Sequence, residues 1–293
     1  MATTIFLTGS SGFLGRHLLQ ELVDAHYHVI CLGRTRPPDR SALVDFVEGD
    51  LLDFPAYRKA LAGCEAVVHL AAATGKRSPA EYFRVNRDGT ETLVNEARRA
   101  GVARFCHVST IAAKFSDISH YHYAQSKLQA EAIVASSGLR LTIVRPTMIF
   151  GPGAPVLEGL KKLSALPLVP LFGSGRALVQ PISVDDLARA LLAIVRAGSM
   201  EGIVEIGGPE IVRMDELLFR IRRNLGIANQ RVLRLPTVAT SACLAALEPL
   251  FRPWMPVTAG QLASFTNDGI TNEDERVLPW QLKMHGINEM LEA

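Results

Sequence analysis

Apolar runs and amphipathic stretches alternate along the first half of the chain. Runs such as Ala66-Val67-Val68-His69-Leu70 and Leu141-Thr142-Ile143-Val144 read as strands covered on both faces. The pattern predicts strands at about 3–8, 28–33, 43–48, 66–70, 104–109 and 140–145. Helical periodicity predicts helices at about 12–25, 54–62, 80–100 and 123–136. The first carries Leu14, Leu18 and Leu22 at i+4 spacing, with Leu19 and Val23 beside them. Strands and helices in this order make an α/β fold with a doubly wound parallel sheet. No internal repeat or low-complexity segment interrupts it.

After Arg145-Pro146 the rhythm breaks. Pro152, Pro155, Pro167, Pro170 and Pro181 share a stretch with Gly151, Gly153, Gly173 and Gly175. Such composition predicts loops and short elements over the sheet's C-terminal edge, where α/β proteins bind ligands. Val184, Leu187, Ala188, Leu191, Leu192 and Val195 mark a helix that returns to the core. A strand at about 203–206, a helix from Met214 to Leu225 and a strand at about 231–235 then complete a small lobe. The expected division is a dinucleotide-binding domain over 1–150, with elements near 176–206 returning to it, and a smaller C-terminal substrate lobe mainly over 151–293. Residues 236–257 stand apart. Val238 to Leu247 is apolar on most faces, and Leu250, Phe251, Trp254 and Met255 follow among Pro249, Pro253 and Pro256. The segment is shorter than the roughly 20 apolar residues that span a bilayer, so no transmembrane helix is expected. Its plain reading is a helix packed on the lobe or on the second copy of a homodimer. The sharper reading is an apolar surface for a membrane, a partner or a lipophilic substrate.

The strongest chemical signal follows the first strand, where IFLTGSSGFLG enters Gly9-x-x-Gly12-x-x-Gly15. Gly9 allows the tight turn, Gly12 lets backbone approach a pyrophosphate, and Gly15 lets the next helix sit close to the strand. The helix N-terminus adds free N–H groups and a positive dipole end. Contacts to a dinucleotide are expected from Gly9, Ser11, Gly12, Phe13, Leu14 and Gly15 in this Rossmann-type unit. At the end of the second strand, where an acid would hold an NAD ribose, the chain has Gly33-Arg34-Thr35-Arg36. A guanidinium cannot accept a bond from that hydroxyl but pairs well with a 2′-phosphate, so Arg34 favours NADP(H) over NAD(H).

A second signal is Tyr123-Ala-Gln-Ser-Lys127, one loop after the strand Phe105-Cys-His-Val-Ser109-Thr110. Residues i and i+4 share a helix face, so the Lys127 ammonium is expected beside the Tyr123 phenol, lowering its pKa from about 10 for proton transfer.

These motifs resemble the short-chain dehydrogenase/reductase superfamily, and TGSSGFLG resembles its extended, epimerase/dehydratase-like branch. The resemblance implies that Tyr123 and Lys127 are the catalytic pair, with Lys127 also bonding the nicotinamide ribose. It implies that Thr110, or failing that Ser109, holds the substrate oxygen. Asp50-Leu51 match the pair that meets the adenine, Ala71-Ala72-Ala73 the small residues that let backbone approach the cofactor, Asn86 a supporting asparagine, and Pro146 the border of the nicotinamide. FGSGRALVQPISVDDLARALL also resembles the corresponding segment of the branch. The stretch from Thr110 to Tyr123 is shorter than in typical sugar-nucleotide epimerases. In that respect the chain is similar to the atypical group that includes the NADPH-binding accessory subunit of respiratory complex I.

The full sequence has 293 residues, 48% hydrophobic and 20% charged, with a net charge of +2. That charge gives no reason to expect nucleic acid, and the arginines at 98, 99 and 104 or at 220, 222 and 223 read as solvated helix faces. Cys31, Cys64, Cys106 and Cys243 lack CxxC spacing, and the His120/His122 pair lacks a third ligand nearby in sequence. No disulfide, no metal, no leader and a reducing, cytoplasmic compartment are expected. The leading expectation is an NADP(H)-dependent oxidoreductase or epimerase acting on a sugar nucleotide or a lipophilic carbonyl or alcohol. Its rivals are a catalytically silent NADPH-binding protein that stabilises a respiratory-type partner complex and, more weakly, a redox sensor.

Overall fold

The strands fall where the pattern puts them, within a residue or two: β1 (Thr4–Thr8), β2 (His28–Gly33), β3 (Val44–Glu48), β4 (Ala66–His69), β5 (Arg104–Val108) and β6 (Arg140–Pro146). The computed structural model describes residues 3–39, 41–198, 201–251, 255, 257–272 and 283–292. Six strands and Gly202–Ile206 form a seven-stranded parallel sheet in the order Gly202–Ile206, β6, β5, β4, β1, β2, β3. The order reverses between β1 and β4, which opens a crevice above their C-terminal ends.

Helices cover both faces. On one side α1 (Phe13–Asp24) and the helix Val184–Ala197 bury Leu18, Leu22, Leu187 and Leu191 against Ile5, Leu7 and Val68. On the other, Tyr57, Leu61, Leu93 and Val134 close over Phe6, Val67 and Phe105. Strand alternation explains the split: Cys106 and Val108 face the first cluster, Phe105 the second. This is the Rossmann-type α/β fold expected.

Three features differ from the sequence pattern. The helix expected over 80–100 is broken into Pro79–Tyr82, a π-helical turn at Phe83–Asp88, and Gly89–Arg99. The strand near 203–206, which the pattern placed in the lobe although the domain division returned it to the first unit, lies at the edge of the central sheet beside β6, where Val204 and Ile206 join the main core. The helix expected to pack within 236–257 is Thr237–Phe251, and much of its apolar surface is in solvent: Val238 is 84% exposed, Leu250 74% and Phe251 49%. Leu244 packs against the lobe core, whereas a helix apolar on most faces can turn only one of them inward. Trp254, Pro253 and Pro256 lie outside the described residues. Among the described residues, no helix is long and apolar enough to cross a membrane.

The lobe has its own core. Leu160 of Pro155–Ser164, Leu218 and Ile221 of Met214–Asn224, and Met290 of Ile287–Glu292 surround Leu171 of Val169–Phe172, which pairs with Val232–Leu235. Arg222, expected on a solvated helix face, is instead buried, because its guanidinium donates to the Leu166 carbonyl at 2.7 Å and the Asn229 carbonyl at 2.6 Å.

Candidate active site

The glycine turn is forced by close backbone packing. Gly9 has φ +77°, and a Cβ there would lie 2.7 Å from the Ala71 nitrogen. A Cβ on Gly15 would lie 2.0 Å from the Gly9 carbonyl oxygen, so only glycine lets α1 close on the turn. Gly12 is the N-cap of α1 and has no side-chain cap bond, and no acid stands in the first turn. No side chain caps the first turn, an arrangement with room for the diphosphate of a dinucleotide. Ser11 is exposed at this end of α1, and Phe13 and Leu14 begin the helix half-buried.

The other expected cofactor residues line the same C-terminal edge. Arg34 follows β2 and is exposed. After β3, the Asp50 Oδ1 accepts from the Leu52 nitrogen at 3.1 Å, and buried Leu51 has its carbonyl held by the Tyr57 hydroxyl at 2.7 Å. After β4, the Ala71 nitrogen donates to Thr8 Oγ1 at 3.2 Å. Ala72 follows, and Ala73 is clamped by Asn86 from the π-helical turn. Pro146 is buried at the end of β6.

Tyr123 and Lys127 stand one turn apart on the helix His122–Ala135. Asn86 Nδ2 reaches this helix at Ser126 Oγ, 2.9 Å away, and Ser126 donates to the Tyr123 carbonyl at 2.7 Å. Thr110 is half-buried and caps the 3-10 turn Ile111–Lys114, its Oγ1 accepting from the Ala112 nitrogen at 3.3 Å. Ser109 is buried, and its hydroxyl has no partner among the described residues. Both carry hydroxyls at the end of β5.

The electrostatics depart from the expected pair. Desolvation pushes the Tyr123 phenol well up rather than down, with Tyr121 and Tyr82 adding to the effect. Its ring lies 5.9 Å from each of theirs. Burial lowers Lys127 to about 7, partly offset by Glu131 one turn on. The Lys127 Nζ is 3.2 Å from His107 Nε2, so this contact occupies one face of the amine. Glu131 is held by Arg145 at 3.0 and 2.6 Å, Arg145 lies 3.7 Å from Glu205, and Glu205 is held by Lys114 at 2.5 Å, a chain that ties the helix to the turn behind Thr110.

The lobe roofs this edge. A Cβ on Gly260, in the helix Ala259–Thr266, would lie 2.6 Å from the His120 carbonyl and 3.1 Å from the Tyr121 Cα. Lys76 donates to the Met255 carbonyl, joining the loop after β4 to the lobe. Thr237–Phe251 packs in turn on Ala259–Thr266, with Glu248 accepting from the Ala259 nitrogen at 2.5 Å. Sequence reasoning missed Tyr82 and His107. Tyr82 belongs to no motif; the only signal for His107 was a histidine inside an otherwise apolar strand.

Residues 5–207 match the model of the NAD dependent epimerase/dehydratase family. The chain is 35% identical to the ceramide reductase of Caulobacter vibrioides over 241 residues, 79% of this chain and 73% of that protein. It is 34% identical over 273 residues to a 4-hydroxy-2-methyl-3-oxo-4-farnesyl-3,4-dihydroquinoline-1-oxide ketoreductase of Stigmatella aurantiaca, covering 86% of this chain and 81% of that one. Among solved structures, a dTDP-glucose 4,6-dehydratase of Streptomyces venezuelae with NAD bound superposes with a TM-score of 0.68 at 26% identity, covering 80% and 84% of the two chains.

Proposed function

Because the chain belongs to the NAD dependent epimerase/dehydratase family and is an NAD(P)-dependent enzyme, we propose that it reduces a ketone borne on an apolar chain, with NADPH as preferred cofactor. The observation that carries the reading is Tyr123 and Lys127 on one helix face beneath an apolar lobe. Arg34, exposed at the end of β2, is the residue for the 2′-phosphate. The uncapped end of α1 holds the diphosphate, and Ala71 to Ala73 admit the cofactor backbone. When bound, the cofactor supplies the hydride.

The protein's own residues handle the oxygen and its proton. Thr110, with Ser109 beside it, orients the carbonyl oxygen by hydrogen bonding. Tyr123 gives that oxygen a proton as hydride reaches the carbon, so the carbonyl becomes a secondary alcohol. The phenol carries its proton through the neutral range, as a donor to the carbonyl oxygen must, although desolvation makes it a weaker acid than a free tyrosine. Lys127 lies one turn on, able to restore the proton and hold the ribose.

The substrate class draws on two relatives named for reductions, one of a ceramide and one of a farnesyl-bearing ketone. The exposed apolar helix Thr237–Phe251, packed on the roof of the site, supports the same class. The test is NADPH oxidation with long-chain 3-oxo compounds and, in parallel, dTDP- and UDP-sugars. Turnover of the lipophilic ketones, abolished by Tyr123→Phe, is the expected result. Turnover of a sugar nucleotide alone overturns the substrate assignment, and full activity in Tyr123→Phe overturns the catalytic one.

A further inference from the structure

His69 and His107 face each other in the register of β4 and β5, with ring centroids 5.2 Å apart. Both are completely buried, yet they differ in how they are satisfied. His69 is held at both nitrogens, Nδ1 by Thr8 Oγ1 at 2.7 Å and Nε2 by Thr90 Oγ1 at 2.9 Å. His107 has Lys127 Nζ at 3.2 Å on Nε2, and its Nδ1 has no partner among the described residues. A histidine kept only for packing in a core strand is expected to look like His69. An orphaned buried ring nitrogen carries a cost that a leucine in β5 would avoid.

We propose that His107 is a positioning residue for Lys127, its Nε2 accepting one Nζ–H and so leaving the remaining donors to face Tyr123 and the cofactor ribose. The inference rests on the proposed Tyr123–Lys127 site. A neutral imidazole carries one N–H, and an ammonium can only donate. If Nε2 accepts from charged Lys127, the ring proton must sit on Nδ1, the nitrogen without a partner. The charged and titratable groups around the pair are few. Burial first, and then Lys127 and His69, disfavour a charged His107, which keeps the ring neutral. Glu131 acts on Lys127 from the same helix, with its carboxylate held by Arg145 of β6. Thr90 and Asn86, from the helix across from the pair, are uncharged. One acceptor therefore fixes the amine, and that acceptor belongs to β5, the strand that ends in Ser109 and Thr110.

The inference predicts a tautomer and a kinetic signature. Histidine side-chain 15N NMR of the cofactor-free protein should show His107 neutral from pH 5 to 6.5, where Lys127 is charged, with its proton on Nδ1. The Nε2–H tautomer, or a charged ring in that range, overturns the proposal. His107→Leu should lower kcat about tenfold and shift the pH dependence of kcat, with KM for the ketone little changed. His107→Gln, whose amide oxygen can accept in place of Nε2, should recover most of the loss and the wild-type pH profile. If both variants fold and share the wild-type profile, His107 only packs and the proposal fails. Should His107→Leu not fold, the tautomer and the glutamine variant decide alone. Tyr123→Phe, assayed alongside, separates the two readings. Full activity there removes the Tyr–Lys site itself, whereas an inactive Tyr123→Phe beside an unaffected His107→Leu sinks only the role of His107.

Discussion

The side-chain amide of Asn86 grips both backbone groups of Ala73: Oδ1 accepts from the nitrogen at 2.7 Å and Nδ2 donates to the carbonyl at 3.1 Å. The same Nδ2 reaches Ser126, so one buried residue joins the loop after β4 to the helix of Tyr123. Asn86→Leu keeps the volume and removes every one of these bonds. It should lower unfolding stability by about 1–3 kcal/mol and weaken cofactor binding, since the loop that admits the cofactor is freed. Urea denaturation and calorimetric titration with NADPH measure the two effects. An unchanged urea midpoint would show that the clamp contributes nothing.

Cofactor choice turns on Arg34. The wild-type protein should bind NADPH roughly tenfold to a hundredfold more tightly than NADH, and Arg34→Asp should reverse the order. Affinities from calorimetry at one fixed salt concentration decide the matter. Equal affinities in the wild type would remove the phosphate contact.

Acid should destabilise this protein before its carboxylates titrate. Burial lowers His69 to about 3 and holds His107 well below the usual histidine range, while both return to about 6.5 on unfolding. Below pH 6.5 the unfolded chain therefore binds protons that the native chain refuses, and stability falls as pH drops. Each histidine contributes about 1.4 kcal/mol per pH unit there. Urea unfolding at pH 7.5 and 5.5 should differ by about 2–3 kcal/mol, and His69→Gln should remove about half of the difference. A flat profile would mean that the rings are charged or accessible in the native state.

The helix Thr237–Phe251 should be thermally silent over most of its surface. Val238→Ser and Leu250→Ser, both at strongly exposed positions, should change stability by no more than about 0.5 kcal/mol. Leu244→Ala, at the residue that packs on the lobe core, should cost about 1–3 kcal/mol because the site is only partly buried. Thermal unfolding of the three variants tests this. A large loss from Val238→Ser would reveal a packed surface. Weaker KM for long-chain ketones in the same two serine variants would tie the exposed face to substrate entry.

The sheet was legible because its strands are local apolar runs and its turns are glycines with local duties. Gly9 and Gly15 could be assigned from spacing, and their close approaches of 2.7 and 2.0 Å are the physical reason that spacing exists. Contacts between distant residues were not legible. At the break in the helix over 80–100 Asn86 reaches Ala73, and nothing in the local periodicity of VNRDGT reports that reach. Lys127 was visible as an i+4 partner of Tyr123, but its contact with His107 comes from a strand 20 residues earlier. The raised Tyr123 phenol depends first on burial and then on its tyrosine neighbours, one of which, Tyr82, arrives from another helix. The segment after Val238 was correctly apolar, yet hydropathy alone could not say which of its faces has something to cover it.

The pairing of Gly202–Ile206 with β6 bears on how the chain can be cut and made. Val204 lies beside Val144 in the finished sheet, and the helix Val184–Ala197 supplies Leu187, Leu191 and Val195 to the core beneath β1. A nascent chain released at residue 150 would end with β6 as a bare edge and with α1 missing its neighbour. The first half, although it holds every glycine of the turn and both members of the Tyr–Lys pair, is thus not a unit that can mature on its own. Its synthesis leaves a sticky intermediate until about 50 further residues have emerged, and fragments expressed to that boundary should collect in inclusion bodies.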